Sequence, residues 1–90
     1  MDDPFNWDID RVVRELCAPP DHPTWAWIPS PELPTPERLE ACLREQRVDG
    51  HTLLTYPDDS ELYNSLGITT LKYKNTLFLV RRELRRQSKL

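Results

Sequence analysis

The sequence predicts an all-α fold, a compact bundle of five unequal helices in a single domain over residues 1–90, and three observations predict it. Apolar residues recur at the i, i+3, i+4, i+7 spacing of one helix face, first at Ile9, Val12, Val13 and Leu16 and last at Tyr73, Leu77, Val80 and Leu84. No segment alternates apolar and polar residues for long enough to read as a strand. Residues that start and stop helices punctuate the apolar runs, with Asp8, Thr35, the pair Asp58-Asp59 and the pair Thr69-Thr70 ahead of them and Pro19, Pro20 and Gly67 behind.

The first predicted helix runs from Ile9 to Cys17, with Asp8 as N-cap and Asp10 in a first turn that favours negative charge. Phe5 and Trp7 are placed to fold back over that turn. The next stretch, residues 18–36, holds seven of the nine prolines, which excludes a helix or a central strand. It also carries Trp25, Trp27, Ile28 and Leu33, more apolar surface than a disordered linker keeps. An extended loop pinned to the core by its tryptophans is predicted, and Trp25 and Trp27 are its candidate contact residues for a partner. Pro36 suits the first position of a second helix capped by Thr35, ending near Arg47 and burying Leu39, Cys42 and Leu43. In the segment V-D-G-H-T-L-L, residues 48–54, Gly50 is expected to permit a tight turn into a one-turn helix capped by Asp49. Leu53 and Leu54 then pack against the first and last helices. A short helix from Ser60 to Leu66 ends at a left-handed Gly67. The last and longest runs from Leu71 to Gln87 with Phe78 beside its apolar face, and a basic tail occupies residues 86–90.

Ninety residues bury a modest core, and 38% apolar with 30% charged residues is the composition of a soluble globular chain. The longest apolar runs, Trp25 to Ile28 and Leu77 to Val80, are far short of the ~20 residues that cross a bilayer, and the opening Met1-Asp2-Asp3-Pro4 is acidic where a signal peptide is basic. An intracellular protein, cytoplasmic or nuclear and not bound to membrane, is expected. Cys17 and Cys42 read as reduced packing residues. With His22 and His51 they offer four metal donors, but without the short paired spacings of a structural zinc site. Gly-rich phosphate loops, HExxH and GxSxG are absent, so no catalysis, cofactor, metal or small-molecule substrate is expected. The net charge of −3 conceals a segregation. Residues 1–71 hold fourteen acidic and five basic residues, whereas residues 72–90 hold seven basic residues and Glu83 alone in opposition. Lys72 and Lys74 stand at a predicted helix N-terminus, where the dipole opposes cations, which points to a use for positive charge outside the helix. Arg81, Arg82, Arg85, Arg86 and Lys89 read as a solvated basic end where the dipole welcomes them.

Trp7 before the first helix, V-D-G-x-x-L-L at 48–54, Leu66-Gly67-Ile68 and the long last helix follow one another in an order that resembles the sterile alpha motif (SAM) domain family. The likeness covers the whole chain apart from the proline-rich insertion, and the combination is more specific than any one of its segments. It departs from the family in that long loop, in Lys72 where a small residue is usual, and in Arg81 at an expected apolar site for which Val80 would substitute. The resemblance implies a protein–protein interaction module pairing with another SAM-like domain, itself or a different one; from the charged tail at Leu90, the opening domain of a larger scaffold, signalling or regulatory protein is expected. Carried over, Asp49, Asp58, Asp59 and Glu61 form an acidic mid-loop face. Leu71, Lys72, Tyr73 and Lys74 form a basic end-helix face. The family's alternative role is nucleic-acid binding, here through Lys72, Lys74, Arg81, Arg82, Arg85 and Arg86, against which stands the acidic body.

Overall fold

A computed structural model describes residues 3–18, 28 and 32–88. Among them are a 3₁₀ turn, Pro4–Asn6, and five α-helices: α1 (Ile9–Leu16), α2 (Pro36–Glu45), α3 (Gly50–Thr55), α4 (Asp59–Ser65) and α5 (Leu71–Gln87). The described residues contain no strand. The all-α five-helix architecture is thus the observed one, and the Cα radius of gyration of 11.8 Å matches the ~12 Å of a single close-packed body of this length.

Four of the five helices start on a side-chain cap. Asp8, Asp49 and Asp58 accept from the amides of Arg11, Thr52 and Glu61, and the Thr70 hydroxyl accepts from that of Tyr73. Thr35 was expected to cap α2 but makes no such bond; Pro36 opens that helix instead, its fixed φ and missing N–H suiting the first position. The boundaries move by a residue or two where caps decide them: α1 stops at Leu16, α2 at Glu45, and α4 starts at Asp59 because Asp58 takes the cap.

The core gathers Val12, Leu16, Leu39, Leu43, Val48, Leu53, Leu66, Ile68, Leu77 and Val80, each at most 2% exposed. α1 packs on α2, while α3 packs on α5 and on the 3₁₀ turn. Leu53 and Leu54 are buried as expected and α3 meets α5 as expected, but the 3₁₀ turn stands where α1 was expected. Phe5 follows the same logic: its ring meets the His51 ring edge-on at 4.7 Å, over α3 rather than over the first turn of α1. Trp7 is buried, with the Arg11 guanidinium 4.9 Å above its ring and Arg11 in turn bonded to Glu15 at 2.8 Å. This chain of contacts keeps Glu15 inside at 8% exposure. From the proline-rich stretch, Ile28 is buried and Leu33 packs against the core, while the Glu32 amide donates to the Thr76 hydroxyl at 3.1 Å. Trp25, Trp27 and His22 lie outside the described residues, as do Lys89 and Leu90.

The role of Gly50 differs from the expectation. Its φ is not left-handed; the positive φ values belong to Gly67 (71°) and Arg47 (55°). Both close the same helix-ending motif. Val48 N–H donates to Leu43 O and Arg47 N–H to Arg44 O after α2, while Ile68 N–H donates to Tyr63 O and Gly67 N–H to Asn64 O after α4. The turn out of α2 thus rests on an arginine in a strained conformation. Gly50 is required by a close approach instead: a Cβ there would lie 1.9 Å from the Pro4 carbonyl oxygen and 3.0 Å from Trp7 Cβ and N. Its own amide donates to Trp7 O at 2.8 Å. Two substitutions separate these roles in urea denaturation. Gly50→Ala must push the N-terminal segment off α3 and is expected to cost about 2–4 kcal/mol. Arg47→Gly relieves the left-handed strain and is expected to gain up to about 1 kcal/mol. A neutral Gly50→Ala would show that the N-terminal segment is not packed on α3 as described.

Candidate protein-interaction surfaces

The acidic candidates begin as helix starts. Asp49 ends the extended step after Val48 and accepts from Thr52 N–H at 2.8 Å. That backbone bond, ahead of the opposing effect of its partial burial, holds its carboxyl below the usual carboxylate range. Asp58 accepts from Glu61 N–H at 3.0 Å. Glu61 accepts from the Tyr56 hydroxyl, and this bond pushes the Tyr56 phenol above its ordinary value. Asp59 accepts from the Arg81 guanidinium. Each of the four carboxylates therefore already has an intramolecular task. The structure brings Asp58, Asp59 and Glu61 together, all exposed, at the entry to α4. Asp49 stands at the other end of α3, half-buried and removed from them by a six-residue helix, about 9 Å of rise.

The basic candidates divide in the same way. Leu71 is 82% exposed at the first position of α5 and Lys72 is exposed beside it. Tyr73 turns inward and packs against the core, and Lys74 is half-buried. No carboxylate among the described residues lies within ion-pair distance of Lys72 or Lys74. Leu71 and Lys72 thus project from the tip of α5, whereas Tyr73 serves the fold.

The largest correction concerns the arginines read as a solvated end. Arg81 is 2% exposed. Its Nε donates to Leu53 O at 2.9 Å, Nη2 to Tyr56 O at 3.0 Å, and Nη1 to Asp59. One turn later Arg85 Nε donates to Leu54 O at 2.8 Å, and Arg86 pairs with Glu83. The physical reason is the C-terminus of the six-residue α3, whose last carbonyls have no helical partner and are buried beneath α5. A guanidinium, with donors in a rigid fork, satisfies two of these and a carboxylate at once. The signal was in the sequence: Arg81 lies four residues after Leu77 and three before Leu84, within the buried stripe. Val80 does not substitute for it; both are inside.

Elsewhere, a groove of about 420 Å³ is lined by Asp8, Ile9, Asp10, Arg44 and Arg47, but Arg44 already bonds Asp10 at 2.7 Å and Glu40 at 2.8 Å. The thiols of Cys17 and Cys42 are free. Burial, reinforced by Glu40 and Glu37, pushes the Cys17 thiol up, away from the reactive thiolate. No helix of the described residues is long and apolar enough to cross a membrane. Comparison of the chain with protein-family models, with curated proteins and with solved structures returned no match.

Two measurements test this electrostatic assignment. Arg81→Met leaves two buried carbonyls without donors and is expected to cost about 2–4 kcal/mol, whereas Asp59→Asn, at a half-exposed carboxylate, costs under about 1 kcal/mol. Equal losses from the two would mean that the ion pair rather than the carbonyl bonds carries Arg81. Because the folded-state pKa of Asp49 is depressed, its contribution is full above the unfolded carboxylate pKa and is lost as pH falls through the folded value. Asp49→Asn retains a capping side chain and should flatten the acid limb of a stability–pH curve; an unchanged limb would assign that limb to other carboxylates.

Proposed function

We propose that the chain is a non-catalytic, SAM-like interaction module that joins a second domain of its kind head to tail. The acidic Asp58–Asp59–Glu61 segment of one domain meets Leu71, Lys72 and Lys74 of the next. The observation that carries the reading is the tip of α5: a large apolar side chain 82% exposed, next to a lysine without an ion-pair partner among the described residues. Such a residue pair loses nothing internal on docking, and burying Leu71 alone is worth about 1.5–2 kcal/mol. The V-D-G-x-x-L-L and L-G-I segments, with Asp49 capping, Leu53 and Leu54 buried and Gly67 left-handed, support the likeness to the SAM family. The two faces differ in chemistry, so the contact is heterologous and extends as a filament unless its geometry closes a ring. An intracellular setting as one domain of a larger scaffold or signalling protein is part of the same reading. Nucleic-acid binding is the less favoured alternative, because Arg81 is enclosed, Arg85 is engaged on α3 and Arg86 is paired, which leaves fewer cations for phosphate.

Sedimentation velocity over a range of concentration tests the proposal. The wild-type chain should grow in mass with concentration and shrink in high salt, and Lys72→Glu should weaken association by at least about tenfold with unchanged helical circular dichroism. Where wild type is monomeric, the same variant is tested against a different acidic SAM-like domain. Association indifferent to Lys72→Glu in both settings removes the end-helix face from the proposal.

A further inference from the structure

We propose that the outward side of α5 is a docking stripe for an acidic amphipathic helix of a partner protein. Leu71 and Phe78 are the large hydrophobic side chains left exposed among the described residues, at 82% and 47%. They stand seven residues apart on one helix, with exposed Asn75 between them and exposed Arg82 beyond. At 100° per residue, Leu71, Asn75, Phe78 and Arg82 fall within about 60° of arc, opposite the buried Val80 and Leu84, along about 16 Å of helix. Spacing of i, i+4, i+7 and i+11 is the seam that a second helix reads. Lys74 flanks the stripe, and Arg85 and Arg86 lie at its far end. Neither Lys74 nor Arg82 makes an ion pair among the described residues.

Charge selects the occupant. A second copy laid stripe on stripe brings Lys74, Arg82 and Arg85 of the two chains together in either direction, and like charges at that range repel. The chain's own acidic segment at Asp58–Glu61 exposes no large apolar side chain to receive Phe78. An anionic membrane would accept the cations but would bury the Asn75 amide in the middle of the stripe without a partner. A helix with an apolar seam flanked by Glu or Asp meets all three demands: it covers Leu71 and Phe78, pairs with Lys74 and Arg82, and offers a side chain to Asn75. The stripe shares Leu71 and its flanking Lys74 with the end-helix face proposed above; Phe78 and Arg82 belong to the stripe alone.

A fluorescently labelled synthetic peptide, with leucine at seam positions and glutamate elsewhere, is titrated with the chain by anisotropy at low and high salt. Saturable binding is expected, weakened by salt and at least about tenfold weaker for Phe78→Ala, for Arg82→Glu and for a peptide of the same composition in scrambled order. Phe78→Ala removes an exposed ring and should keep the wild-type circular dichroism, which is checked. Equal binding of the scrambled peptide, indifference to Phe78→Ala, or no binding up to about 1 mM overturns the proposal. So does self-association that Phe78→Ala abolishes, which gives the stripe to a second copy, or Phe78-dependent pelleting with phosphatidylserine vesicles, which gives it to a membrane. Loss of module pairing in Lys72→Glu with peptide binding indifferent to Phe78→Ala sinks the stripe alone; Phe78-dependent peptide binding without any module pairing sinks the earlier reading alone.

Discussion

The Arg81 guanidinium sets the relation between the two charged parts of this domain. α3 has six residues, so most of its backbone carbonyls lie in a last turn with no helical acceptor role to play, and α5 covers that turn. Arg81 reaches from α5 to Leu53 O and Tyr56 O and continues to the carboxylate of Asp59. It therefore couples the long helix to the end of α3 and to the start of α4 through one rigid group. Arg85 repeats the contact one turn on, at Leu54 O. A lysine could not do this, because a single ammonium cannot span two carbonyls and a carboxylate in a fixed fork.

This clamp redistributes the charge that composition describes. The sequence is an acidic body with a basic end, yet part of the basic end is internal and part of the acidic segment is its counter-charge. Of the candidate residues, Lys72 at the tip of α5, Arg82 on its outer side, and Asp58 with Glu61 at the entry to α4 are exposed and make no ion pair among the described residues. Among the described residues the exposed large hydrophobic side chains, Leu71 and Phe78, stand on the same helix. Lys72, Arg82, Leu71 and Phe78 thus all stand on α5, whose inner side supplies Leu77, Val80 and Leu84 to the core.

The two glycines show how a residue type can be legible while its reason is not. Gly67 was readable, because a glycine after an apolar helix run is the common left-handed stop, and its φ is 71°. Gly50 was readable as necessary but for the wrong cause. The left-handed position between α2 and α3 falls on Arg47, and Gly50 is small because the chain from Pro4 to Trp7 crosses it. That crossing joins residues more than forty positions apart, and no local pattern encodes it.

The sequence by itself determined the helices, their order and most of their ends, because these follow from apolar periodicity and from caps acting over three or four residues. Leu71–Gln87 and the caps at Asp8 and Asp49 are of this kind, whereas the choice of Asp58 over Asp59 and of Thr70 over Thr69 came from the structure. It also determined which residues were candidates for the charged faces. Only the tertiary structure decided which of them remain available: Asp59 is bonded to Arg81, Tyr73 is turned into the core, Asp49 stands apart, and Leu71, Lys72, Phe78 and Arg82 are outward. The reason is that a charged or aromatic side chain is assigned to core or surface by the groups opposite it. Here those groups are the terminal carbonyls of a helix some thirty residues away in the chain.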